Sequence, residues 1–168
     1  MKTLIDQLSL YAEYHRDPRN VLTHFIGVPM ILWAVVILLS RPALAMGGVA
    51  LSPALFAALA AAGFYLRLDR RYGLCMAALL TLLLWSGQWL AQQSLALWLG
   101  TGLGLFVLGW LIQFVGHYWE GRKPAFFDDV VGLLVGPLFV LAEMGFVLGL
   151  RREVQARMQA RVGQTAGR

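Results

Sequence analysis

The feature that most constrains this chain is the run from Val21 to Ser40, in which His24 is the only titratable side chain. About twenty such residues cross the hydrocarbon of a bilayer as a helix. Four further apolar runs follow, at roughly Gly48–Leu66, Leu74–Ala91, Leu95–Val115 and Val130–Leu150. The composition agrees. Charged residues make up 14% of the 168 positions and hydrophobic ones 59%, where soluble domains carry about 25% charged. The fold expected is all-α, a polytopic integral membrane helical bundle with four to six membrane helices. It is read as a single membrane domain over 1–168: an interfacial helix and loop at 1–20, the bundle at 21–150 and a polar tail at 151–168.

Smaller features fix the ends of these elements. In "TLIDQLSLYAEY", Leu4, Ile5, Leu8, Tyr11 and Ala12 recur at helical spacing, which predicts a short amphipathic helix at the interface. "RDPRN" breaks it. Asp6, Glu13 and Asp17 fall where a signal peptide would need an apolar core, so the N-terminus is expected to stay on the protein. "QQS" at 92–94 is too short for anything but an antiparallel hairpin. Pro137 and Glu143 interrupt the last run.

The basic residues bear on topology. If all five runs cross, Lys2, Arg16, Arg19, Arg67, Arg70, Arg71, Arg122 and Lys123 face six arginines on the other side. If the last run is re-entrant, or bends at Pro137 and returns, Arg41 alone faces thirteen. The positive-inside rule favours the second arrangement, with an even number of crossings and both termini cytoplasmic. The net charge of +5 is therefore read as topology and headgroup contact, not as a nucleic-acid footprint. One cysteine, Cys75, excludes an internal disulfide and a thiolate metal cluster.

Chemistry is confined to few residues. The three histidines, His15, His24 and His117, lie on one side of the membrane under either topology, near its surface. A His-rich site without thiolates suits iron, zinc, copper or nickel. Asn20 and His24 are four apart, and Gln113, His117 and Glu120 are spaced four and three, so each set shares a helix face. Asn20, Gln113, Glu120 and Glu143 are candidates for orienting the histidines or adding a ligand, and Glu120 for a base. Glu143 stands out because an ionisable group in an apolar run is costly. Arg122 and Lys123 are candidates for a substrate carboxylate or headgroup. Asp128 and Asp129 read as helix caps ahead of the last run. No Walker loop, GxSxG, HExxH or long series of histidines is present. Three imidazoles suit one metal ion better than a di-iron pair.

Two blocks together, "YHRDPRNVLTHFIGVP" at 14–29 and "QFVGHYWEGRKPA" at 113–125, resemble the membrane 2-hydroxy fatty acid dioxygenases, whose fungal members act in phytosphingosine breakdown at the endoplasmic reticulum. The shared positions are Tyr14-His15, Pro18, Asn20, His24 and Val28-Pro29. In the second block they are Gln113-Phe114, Gly116-His117, Glu120, Pro124-Ala125 and Asp128. Asp17 departs from the pattern, standing where some members carry a further histidine, which favours an oxygen ligand over a fourth imidazole. The resemblance implies an Fe(2+)-dependent α-oxidation, without 2-oxoglutarate, in which a 2-hydroxy fatty acid loses one carbon. It casts His15, His24 and His117 as metal ligands and, with Glu120, as catalytic residues. The partners expected are a 2-hydroxy fatty acid, O2, membrane lipid and a second copy of the chain. The membrane would be the inner membrane of a bacterium or the endoplasmic reticulum of a eukaryote. Two other readings stay open from the residues: a proton-linked transporter using histidine and Glu143, and a scaffold without catalysis.

Overall fold

The computed structural model describes residues 2–46, 49–125 and 129–166. Asp128 lies outside them. Seven helices carry the described chain: α1 (Leu4–Glu13), α2 (Pro18–Ser40), α3 (Pro53–Leu68), α4 (Arg70–Ala91), α5 (Leu95–Glu120), α6 (Gly132–Val147) and α7 (Arg152–Ala166). The expected helical class holds. One addition lies between α2 and α3, where Leu44–Met46 (β1) and Val49–Leu51 (β2) pair antiparallel. The second helix accordingly starts at Pro53, not near 48. Ser52 caps it and Pro53 takes a first-turn position whose N–H has no helical partner to lose.

Three helices, α2, α4 and α5, are long and apolar enough to cross a bilayer. At 16 residues α3 is shorter, about 24 Å at 1.5 Å per residue. The pair α6 and α7 meets the same test only when joined, and it bends by 115° at the junction. This chain is a membrane protein.

The bend does not fall at Pro137. That proline lies inside α6, in its second turn. The helix ends instead at Gly149, whose positive φ of 75° suits glycine and few other residues. Gly149 N–H donates to the Phe146 carbonyl at 2.9 Å and Leu150 N–H to the Gly145 carbonyl at 2.8 Å. Those two bonds close a Schellman turn and stop the helix. The tail beyond, expected to be polar and partly helical, folds as α7.

The chain divides into two compact units. The larger in contacts, Ile26–Ile112, is held by close helix approach at small residues. A Cβ on Gly109 would stand 2.7 Å from Ile31 Cγ1 and 3.1 Å from the Gly27 carbonyl, and one on Gly87 would stand 3.0 Å from Ser40 Oγ. The start of α4 meets the end of α3 at Gly73, where a Cβ would be 2.6 Å from the Leu66 Cα. Small residues permit such spacing between membrane helices. Indole donors add polar ties, Trp33 Nε1 to Ser86 Oγ at 3.0 Å and Trp98 Nε1 to the Ile37 carbonyl at 2.8 Å.

The other unit, Met1–Phe25 with Gln113–Arg168, brings both chain ends together. A capping box of Thr3 and Asp6 starts α1. Its Leu8 is fully buried and Leu4 and Tyr11 nearly so. They face α6 and α7, which present Val135, Leu138, Phe139, Val154 and Met158 to the same core. An ion pair of Arg161 with Asp6 at 2.7 Å ties α7 to α1.

Candidate metal centre

The site forms where the α1–α2 connection meets the end of α5. Asp17 caps α2, its carboxylate accepting from Arg19 N–H at 2.8 Å, and Pro18 follows at the first helical position. Asp17 also pairs with the Arg19 guanidinium at 2.7 Å, which holds its carboxyl below the usual carboxylate range. It therefore serves the helix start and does not join the histidine cluster.

His15, His24 and His117 are all buried, at 5%, 2% and 7% exposure. Each offers a nitrogen within 4.8 Å of the other two. Ring centroids lie 4.3 Å apart for His15–His24 and 5.1 Å for each pair with His117. Three residues up to about a hundred positions apart thus lie together in the fold.

Backbone carbonyls orient two of the rings. His15 Nδ1 is 2.6 Å from the Tyr11 carbonyl and His24 Nδ1 is 2.8 Å from the Asn20 carbonyl. A carbonyl only accepts, so both Nδ1 atoms carry the proton, and the opposite nitrogens of the neutral rings present lone pairs. Those two Nε2 atoms face each other at 2.9 Å. Facing lone pairs repel unless a cation lies between or beside them. Burial disfavours a proton there, pushing the His15 imidazole down to about 4 despite the helpful Tyr11 carbonyl. Two nitrogens each 2.0–2.1 Å from one ion, at a right angle, are about 3 Å apart. The donor set thus fits a divalent transition metal.

Around the trio, Glu120 acts as a clamp. One carboxylate oxygen accepts from Arg16 N–H at 2.9 Å. The other accepts from Asp17 N–H at 2.9 Å and Asn20 Nδ2 at 3.0 Å. These bonds fix the loop that carries His15 and the turn that leads to His24. The Tyr11 ring stacks on His15 at 4.1 Å and nearly parallel, with Phe139 behind it at 4.9 Å. Gly116 lets α5 approach α2, because a Cβ there would collide with Thr23 Oγ1 and stand 2.5 Å from Asn20 Oδ1.

Other candidates fall differently. Asn20 is fully buried and Gln113 is 5% exposed, and Asn20 Oδ1, Gln113 Oε1 and His117 Nδ1 are buried without hydrogen-bond partners. Arg122 donates to the Glu13 carbonyl at 2.7 Å and lies over the Tyr14 ring. Lys123 is exposed beside it. Glu143 is half-buried on α6 and does not join the histidine cluster. Asp129 caps the turn into α6 through Val131 N–H at 3.0 Å. Tyr11 and Gly116 are the site residues that spacing alone did not single out as such. Tyr11 reads from sequence as a membrane-belt aromatic, and the only signal for Gly116 is its place beside His117.

This assembly is that of a helical membrane protein with a buried three-histidine cluster that could hold a metal ion. The family model described as "2-hydroxy-palmitic acid dioxygenase Mpo1-like" matches residues 1–148, and the chain belongs to that family. It is 36% identical over 160 residues to the 2-hydroxy-palmitic acid dioxygenase MPO1 of Saccharomyces cerevisiae, covering 93% of this chain and 87% of the yeast protein. No solved structure matches.

Proposed function

We propose that the chain is a non-haem Fe(2+) dioxygenase that takes a 2-hydroxy fatty acid and O2 and yields a fatty acid one carbon shorter, with CO2 and water as the other products. The observation that carries this reading is the pair of Nδ1-anchored imidazoles, with lone pairs facing at 2.9 Å and a third buried histidine beside them. The similarity to the yeast enzyme supplies the substrate class. Iron held by His15, His24 and His117 would supply Lewis acidity and a redox-active centre for O2. The Tyr11 and Asn20 carbonyls keep both Nδ1 atoms protonated and aim the opposite nitrogens inward. Glu120 works through the backbone it holds, and in this reading it is a positioning residue. Arg122 and Lys123 place positive charge at the polar end of α5, favouring an anionic head at the surface. The exposed apolar faces of α2 and α5, such as Leu22, Ile26, Leu111 and Phe114, lie where an acyl tail meets lipid.

The topology proposed has α2 to α5 crossing four times, α6 and α7 turning back, and both termini with the site in the cytoplasm. The membrane is the inner membrane of a bacterium or the endoplasmic reticulum of a eukaryote. A proton-linked transporter would need ionisable groups through the bilayer, and the run Leu74–Ala91 of α4 has none with charge.

Anaerobic reconstitution with Fe(2+), followed by oxygen uptake on adding 2-hydroxypalmitic acid, tests the reading. One iron per chain and substrate-dependent uptake are expected. A chain that holds no metal after reconstitution contradicts it.

A further inference from the structure

Resting on the proposed reading, we infer that Gln113 recognises the 2-hydroxyl of the substrate and so helps separate hydroxy acids from plain fatty acids. Most acceptors at the site are already taken. The Tyr11 and Asn20 carbonyls take the Nδ1 protons of His15 and His24. Both Glu120 oxygens accept from the loop and from Asn20. Asn20 Oδ1 abuts Gly116, where even a methyl group would stand 2.5 Å away, so no ligand group fits in front of it.

That leaves Gln113 Oε1. It is buried, has no hydrogen-bond partner and belongs to a residue 5% exposed. Gln113 lies one turn before His117 on the same face of α5. His117 Nδ1 is likewise buried without a partner. The helix thus keeps one unmatched amide oxygen one turn before a candidate ligand.

An amide oxygen asks for a donor. The ionised carboxylate of a fatty acid is acceptor-only and cannot answer it. The acyl chain has no donor. A 2-hydroxyl does, and it is attached one carbon from the carboxylate. A fatty acid without that hydroxyl leaves Gln113 Oε1 buried and unmet, the kind of loss by which a polar site rejects an analogue lacking the group it bonds.

The test uses the full chain in nanodiscs, loaded with zinc so that no turnover intervenes. Calorimetry measures binding of 2-hydroxypalmitic and palmitic acids to the native chain, to Gln113→Met, which keeps length without the amide, and to Gln113→Leu. The native chain should prefer the hydroxy acid, and the preference should fall about tenfold in both variants, with zinc stoichiometry unchanged. Any preference due to metal chelation persists in the variants. A preference that stays within about twofold of native in a variant that retains its zinc overturns the inference and leaves the proposed function standing. So does a native chain that binds both acids equally. A zinc-loaded native chain that binds neither acid overturns both.

Discussion

The two compact units use opposite means of cohesion. In Ile26–Ile112 helices approach through Gly87, Gly102 and Gly109 and are tied by two indole donors. In the unit formed by both chain ends, the same α2 and α5 carry a dense polar interlock: three histidines, Asn20 and a carboxylate holding two backbone N–H groups. One stretch is fitted to lipid, where side-chain hydrogen bonding is costly to satisfy. The other orders a short loop around a buried histidine cluster. A helix can therefore be a membrane element for most of its length and a ligand scaffold for its last two turns.

That contrast can be broken most forcefully at the ligands. Alanine at His24, or at His15 or His117, should abolish turnover and reduce bound metal to background, with helical circular dichroism unchanged. Native turnover in all three would remove the site assignment. Next comes a pair of glycines. Gly116→Ala drives a methyl into Thr23 and Asn20, and overpacking of this kind costs about 1–3 kcal/mol. It should weaken metal binding sharply. Gly102→Ala meets the side chains of Leu38 and Ile37 and should leave metal content intact. Equal metal loss in both would erase the distinction between the units.

A smaller effect is expected at the clamp. Glu120→Ala should lower metal affinity by about 10–100-fold, as losses around a ligand shell typically do, with Glu120→Gln recovering part of it. An unchanged affinity would make Glu120 a structural cap only. The smallest effect lies at Asp6, whose carboxyl is held below the ordinary range by Thr3 N–H and the Thr3 hydroxyl, with Arg161 adding to it. A lowered folded value means its contribution is present above the unfolded value of about 3.9 and lost as pH falls through the folded one. Hydrogen exchange in α1 and α7 should rise in that acid range while α4 stays protected. Parallel exchange in all three would deny a local effect.

Much of this was legible in the residues. His15, His24 and His117 could be placed at one depth because the apolar runs between them fix where the chain surfaces. "RDPRN" marked a break ahead of the first spanning helix, expected from Val21 and found from Pro18, and the short "QQS" marked the turn between α4 and α5. What stayed hidden depended on backbone partners. Glu120 reads as a ligand or base from spacing, yet it holds the Arg16 and Asp17 amides, and no side-chain pattern encodes amides. Pro137 read as the break because a proline removes a helical donor. Gly149 was the true stop, since a left-handed residue with two closing bonds ends a helix more completely than one missing N–H. The β1–β2 pair fell inside an apolar stretch whose composition suits either a strand or a helix.

The central claim, that three buried imidazoles hold an iron which oxidises a lipid acid, is tested most directly by one coupled measurement. Purified chain loaded with Fe(2+) is assayed for metal content and then supplied with 2-hydroxypalmitic acid and O2, and the products are weighed by mass spectrometry. The account predicts stoichiometric iron and a fatty acid one carbon shorter, both lost in His24→Ala. Iron-loaded protein that returns the hydroxy acid unchanged, or a His24→Ala chain that still shortens it, would contradict the account.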